Sequence, residues 1–304
     1  MNCKKLSNRS LVIVMSVVLL IVFSTWALAE KPTIVVGSKN FTEQYITAEM
    51  IALLLEYHGY PVERKYGLGG NAIIFPAILR GDIHVYPEYA GTAYGVHLGH
   101  ELDPGLSKEY VYGRSRTELK EKYDLIYLDS YGFNNTYVFV TTQETFEETG
   151  AKNLSELAPY AHKYSVGGSI DYMGERPDGH RGVEEVYDMK FARTRAMDSG
   201  LFFQALQLGQ VDFVVAFSTH GQIAALDLVI VEDDKDFFPP YHKGTIIRGD
   251  ILRENPEIQE VLDLMVDLID EPTMARLNYK VDGEREEPDD VAREFLIEVG
   301  LISE

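Results

Sequence analysis

The 304-residue sequence carries 28 Lys and Arg against 48 Asp and Glu, a net charge of −20, with 45% hydrophobic residues and a single cysteine. So acidic a chain is a poor partner for nucleic acid or for an anionic membrane surface. One cysteine excludes an internal disulfide, so burial of apolar surface has to stabilise the fold.

The N-terminus reads first as an export signal. "MNCKKLSNRS" is basic, Leu11 to Phe23 is apolar, and Ala27, Leu28 and Ala29 form a small-x-small cleavage site. This pattern predicts a signal peptide over residues 1–29, removed before Glu30. The apolar run is too short for a membrane span, and Cys3 precedes it, where no lipoprotein cysteine stands. The predicted mature chain is periplasmic, with 275 residues, 25 basic against 48 acidic side chains, a charge of −23, and neither Cys nor Trp.

"TIVVGS" (Thr33 to Ser38) is a β-branched run and reads as a buried strand. Apolar residues from Ile46 to Tyr57 then recur at helical spacing, with Thr42 a candidate N-cap and Gly59 a stop. "PVERKYGLGG" reads as strand and turn, "NAIIFPAILRG" as a helix ended by Gly81, and "DIHVY" as a strand. The same alternation restarts with "TYVFVT", "YSVGG", "KFART" and "VDFVVAF", separated by helical patterns. "YHKGTIIR" adds a last strand before three helices that open at Pro256, Pro272 and Pro288. Strand and helix in short alternation predict two α/β units, built on mainly parallel sheets. The expected division is lobe 1 over 30–133 plus 239–304, with lobe 2 inserted over 134–238.

Hydrolytic machinery is missing. There is no G-x-S-x-G elbow and no cysteine nucleophile beyond Cys3. "HLGHE" (His97, His100, Glu101) matches no zinc-protease spacing and reads as a helix end with solvent-facing histidines. "GLGG" reads as a tight strand-to-helix connection, and "EDDKD" (Glu232 to Asp236) as a solvated loop. What stands out instead is a set of aromatics and cations at strand ends, where open α/β sheets bind ligands.

The stretches "VGSKNFTEQ", "LGGNAIIFPAILRGDIHVYPEYAGTAY", "NNTY", "RPDGHRGVEEVY", "FSTHGQI", "LVIVEDDKDFFPPY" and "LNYKVDGE" resemble, in order and spacing, the substrate-binding proteins of ABC importers for glycine betaine, choline and carnitine. The resemblance implies the type II periplasmic binding-protein fold, two α/β lobes closing over a solute. It also implies an aromatic cage from Tyr89, Tyr137, Phe217 and Tyr241, and a carboxylate clamp from Lys39, Thr92 and Arg176. A quaternary ammonium has no N–H to donate, so aromatic faces select it, whereas the ligand carboxylate needs cationic and hydroxyl donors. Phe217 stands where the family usually has Tyr. Asn135 replaces a common Asp beside the cage, and His220 replaces the Asp of a familiar "STDG", where mild acid would make it cationic; His220 is expected at the helix start as a structural variant rather than against the ligand. Tyr86 and Tyr94 are expected to pack.

The function so implied is capture of glycine betaine or a related zwitterion by an exported monomer, for delivery to a permease and its ATPase, with no cofactor, metal or nucleic acid. Choline or another trimethylammonium nutrient is the alternative, and an enzyme on the same fold a remote one.

Overall fold

The computed structural model describes residues 31–174 and 176–303. The predicted signal peptide lies outside them.

Among the described residues, ten strands form two five-stranded sheets. The first, in the order β2-β1-β3-β10-β4, takes β1 (Ile34–Gly37), β2 (Val62–Lys65), β3 (Val85–Tyr89), β4 (Leu125–Asn134) and β10 (His242–Arg248). The second, β7-β6-β8-β5-β9, takes β5 (Tyr137–Thr141), β6 (Ser165–Gly168), β7 (Arg193–Ala196), β8 (Phe213–Phe217) and β9 (Val229–Val231). Each sheet has a parallel trio followed by one strand antiparallel to its neighbours, β10 in the first and β5 in the second. The chain crosses between sheets twice, through Asn135–Thr136 and through residues 232–241. The two crossings bond to each other: the Asn135 N–H donates to the Tyr241 carbonyl (3.2 Å) and the Tyr241 N–H to Asn134 Oδ1 (2.7 Å).

Helix α1 (Thr42–Tyr57) is buried on nearly every side, so its sequence is apolar well beyond a single stripe. It lies between the first sheet and two C-terminal helices, α5 (Glu271–Asp282) and α6 (Pro288–Glu298). Helices α2 (Asn71–Arg80) and α3 (Lys108–Tyr123) cover the other face of that sheet, and α4 (His180–Tyr187) packs in the core of the second. Gly81 ends α2 in the left-handed region at φ 79°, where a residue without Cβ avoids strain.

Four sequence expectations change. Phe41, not Thr42, is the N-cap of α1, and Thr42 is its first helical residue. "DIHVY" starts too early: β3 runs from Val85 through Tyr89 and includes Pro87. No residue of β1 pairs with β3 beyond Val85, so the proline sits in a stretch laddered on one side only. "KFART" is displaced, because β7 begins at Arg193. Finally, β4 and β9 were not anticipated; β4 is bulged against β10, which breaks its period-two signature.

Candidate ligand-binding site

Strand register brings the aromatics together. Tyr89 ends β3, and Lys243 of antiparallel β10 pairs with it, so Tyr241, two residues before Lys243, arrives at the same sheet end. Phe217 ends β8, and Tyr137, the first residue of antiparallel β5, is its direct register partner. Lys39 follows β1, and Thr92 lies in the helical turn after β3. All of them are therefore at the carboxyl ends of the parallel strands, where such sheets bind ligands.

Tyr89, Tyr137, Phe217, Tyr241, Lys39, Thr92, Arg176 and Asn135 line one cavity of about 360 Å³. The Tyr137 ring stands 5.5 Å from Phe217 and 5.6 Å from Tyr241, the latter nearly perpendicular at 86°. Phe41, absent from the expectations, completes the wall: its ring stacks 5.3 Å from Phe217 and 6.4 Å from Tyr89. Its place two residues after Lys39, in the same loop, was the available signal.

Both clamp cations are held by buried carboxylates that the sequence reading missed. Lys39 Nζ lies 2.5 Å from Glu88 Oε1, and both groups are almost fully enclosed. Burial pushes the Lys39 ammonium down, against the pull of Glu88. Burial likewise would lift the Glu88 carboxyl, but Lys39 and His97 hold it far below the usual carboxylate range. Arg176 grips Asp178 with two bonds, Nε to Oδ1 at 2.8 Å and Nη2 to Oδ2 at 2.6 Å, and Nη2 reaches Thr92 Oγ1 at 3.4 Å. Burial opposes the guanidinium charge; Asp178 outweighs it and raises the Arg176 pKa. The Tyr241 hydroxyl donates to Asp178 as well. Among the described residues no hydrogen bond engages Arg176 Nη1, and Lys39 Nζ spends one of its three N–H donors on Glu88.

His97 is not solvent-facing. The wide turn Ala93–His97 carries it inward, where its ring stacks 4.0 Å from Phe75 and Nε2 sits 2.8 Å from Glu88 Oε2. Tyr86 donates to the same oxygen at 3.0 Å, whereas Tyr94 stacks on His100.

Behind Tyr89 is a second buried ion cluster. Glu43 accepts from the Tyr89 hydroxyl (2.7 Å), Asn135 Nδ2 (3.1 Å), Thr219 Oγ1 (2.5 Å), Asn278 Nδ2 (3.2 Å) and Lys243 Nζ (3.2 Å). Burial would raise its pKa, but Lys243 and the other donors bring it below the ordinary value. Lys243, fully enclosed, is pushed down by burial to about 8 despite Glu43.

His220 does not reach the cavity. It stands behind Phe217, accepting the Phe217 N–H at Nδ1 (3.1 Å) and meeting Phe203 edge to face. Burial pushes its pKa down to about 4, so mild acid leaves it neutral in the folded chain, contrary to expectation. On the cavity wall, Asn71, the first residue of α2, donates its N–H (3.1 Å) and Nδ2 (2.9 Å) to Asp171 Oδ2 of the second sheet's side. Gly70 lets the two sides approach, since a Cβ there would stand 2.3 Å from Asp171 Oδ1.

Comparison with known proteins assigns this arrangement. The family described as the substrate binding domain of ABC-type glycine betaine transport systems matches residues 32–298. The chain belongs to that family. Its members are transport binding proteins, which work on the outer side of the membrane that their importer spans. An ergothioneine transport permease and binding protein of Helicobacter pylori is 34% identical over 276 residues, 90% of this chain but 49% of that protein, so the chain spans about half of that relative's length. A carnitine transport binding protein of Listeria monocytogenes is 32% identical, covering 88% of this chain and 87% of the relative. The crystal structure of a glycine betaine/carnitine/choline ABC transporter protein superimposes with a TM-score of 0.71 at 32% identity, covering 88% of this chain and 99% of that one.

Proposed function

We propose that this protein is exported through a cleaved signal peptide and captures a betaine-type trimethylammonium zwitterion for an ABC importer. The lobes that close on the ligand are residues 30–133 with 239–304, and 134–238. Tyr89, Tyr137, Phe217 and Tyr241, joined by Phe41, form the cage; Lys39, Thr92 and Arg176 hold the carboxylate. It works as a monomer that hands the solute to a permease and its ATPase, and catalyses no reaction.

The observation that carries this reading is the meeting of five aromatic rings with two enclosed cations on a single cavity wall. Each π-face contributes about 0.5 to 2 kcal/mol toward a desolvated cation, so several together approach the roughly −8 kcal/mol of micromolar binding once a clamp is added. The uncommitted N–H groups of Arg176 and Lys39 suit a ligand carboxylate. They also disfavour choline, which offers those cations no anion. The names of the relatives, carnitine and ergothioneine binding proteins among them, agree with this class.

The test is calorimetric titration of the mature chain with glycine betaine, carnitine, choline and proline; without tryptophan after Trp26, intrinsic fluorescence is a poor probe. Heat is expected with at least one zwitterionic quaternary amine and little with proline. Absence of heat with every quaternary amine would sink the proposal.

A further inference from the structure

Helix α2 takes its N-terminal cap from the other sheet's side. Asn71 is the first helical residue, so its N–H has no partner within the helix. Gly70, at the cap position before it, has no side chain to offer, where Ser, Thr, Asp or Asn ordinarily supplies an oxygen. Asp171, 100 residues away in the helical turn Ile170–Met173 after β6, supplies one instead: its Oδ2 accepts the Asn71 N–H at 3.1 Å and Nδ2 at 2.9 Å. A carboxylate at that place also meets the positive end of the helix dipole.

Gly70 makes room for this carboxylate. Its φ of −80° lies outside the left-handed region, so backbone conformation gives no reason for glycine there. Space does. A Cβ at position 70 would meet Asp171 Oδ1 at 2.3 Å, Oδ2 at 2.6 Å and Cγ at 2.7 Å, and these are its three nearest atoms. A residue beside the first sheet is thus fitted to one beside the second.

Resting on the two-lobe closure proposed above, we infer that Asp171 caps α2 only while the lobes are shut, and that Asp171 and Gly70 are positioning residues that set the closed population without contacting the ligand. Parting the lobes gives the Asn71 N–H to water; shutting them returns it to Asp171. Apparent affinity falls by the fraction of chains in the binding-competent shape. Loss of the cap therefore weakens every ligand by one common factor. A carboxylate that bonded the ligand itself would instead discriminate between choline, a net cation, and the neutral zwitterions.

The experiment titrates glycine betaine, carnitine and choline by calorimetry into the mature chain, Asp171→Ala, Gly70→Ala and the double variant. Asp171→Ala is expected to weaken each ligand that binds by the same factor, about three- to thirtyfold, the range that removal of a helix cap covers. Gly70→Ala fills the space of the carboxylate and is expected to cost more than Asp171→Ala. Adding Asp171→Ala to it should restore affinity to the level of Asp171→Ala alone. Factors that differ by more than about threefold between choline and a zwitterion would make Asp171 a ligand contact and overturn the inference. A double variant that binds no better than Gly70→Ala would overturn it too. The closed fraction is read separately from spin labels at Ile73→Cys and Leu201→Cys, exposed positions on the two sides of a chain whose only native cysteine, Cys3, lies in the predicted signal peptide. The wild-type background should show a short distance that Gly70→Ala depletes, with or without ligand, and that the double variant recovers. One unchanged distance in every background would mean a permanent bridge, and contradicts the inference. A wild-type chain that binds none of the three compounds contradicts the parent function instead, and the label distances then decide the cap on their own.

Discussion

The two buried ion clusters on the first sheet's side of the cleft use the same chemistry to different ends. Lys39 with Glu88 and Lys243 with Glu43 are both ammonium–carboxylate pairs, enclosed and flanking Tyr89; the two ammoniums lie 5.5 and 4.8 Å from its ring centre. Glu88 divides its oxygens among Lys39, His97 and Tyr86, and Lys39 still lines the cavity. Glu43 instead gathers five side-chain donors from both sides of the cleft, and neither it nor Lys243 lines the cavity. The first cluster ends in the ligand space; the second closes on itself. What separates a ligand-facing cation from a structural one is where its unspent N–H groups point, and residue type is no guide to that.

The largest effect expected from this contrast is on stability. Glu43→Ala leaves Lys243 buried without a counter-charge, a change that costs about 3 to 5 kcal/mol in comparable sites. Denaturant unfolding monitored by circular dichroism should register it as a lowered midpoint. Loss of less than about 1 kcal/mol would mean that the second cluster does not hold the cleft base together.

Acid offers a second way to load the same region. The unfolded chain takes up a proton on His220 near pH 6.5, whereas the folded chain does so only near pH 4. Between those values the unfolded state binds more protons, so stability falls as pH falls, by up to about 3 kcal/mol from this group alone. His220→Gln should flatten that part of the stability–pH curve; an unchanged slope would place the acid sensitivity elsewhere.

Lys39→Met sharpens the contrast from the other side. Glu88 keeps its His97 and Tyr86 partners, so the main loss should be in affinity for carboxylate ligands, about 1.5 to 3 kcal/mol for a charge-assisted bond. A variant that instead unfolds as readily as Glu43→Ala would make the two clusters equivalent. The smallest expected effect is that of Phe217→Tyr, which keeps the π-face beside Tyr137 and Phe41. Calorimetry should find affinity within about 1 kcal/mol of the parent, and a larger change would show that the phenol itself matters.

How far the sequence alone reaches follows from the range of each interaction. The strand-end rule located Phe217 and Tyr137, because each is the terminal residue of a strand that its own local pattern reveals, whereas Tyr89 was reached only as a residue following "DIHVY", since β3 runs on to include it. The counter-ions were beyond it. Glu88 lies 49 residues from Lys39, and Glu43 lies 200 from Lys243, so no local pattern joins them. Asp178 was within reach, two residues after Arg176, in a stretch chosen for its cation alone. The solvent-facing reading of His97 failed through burial, and so did the expected charging of His220 in mild acid: a wide turn and a packed strand end enclose them. Strand β4 hid behind its bulges, and Gly132 at φ 119° breaks its pattern further.

The central claim is that aromatic faces in this cavity select a positive charge. It is tested most directly by titrating the tightest trimethylammonium ligand against its tert-butyl isostere, which keeps the shape and carboxylate but replaces nitrogen by carbon. The cage predicts at least a tenfold loss, about 1.4 kcal/mol or more, for the uncharged isostere. Equal affinity for the two would mean that the rings read only shape, and would contradict the account.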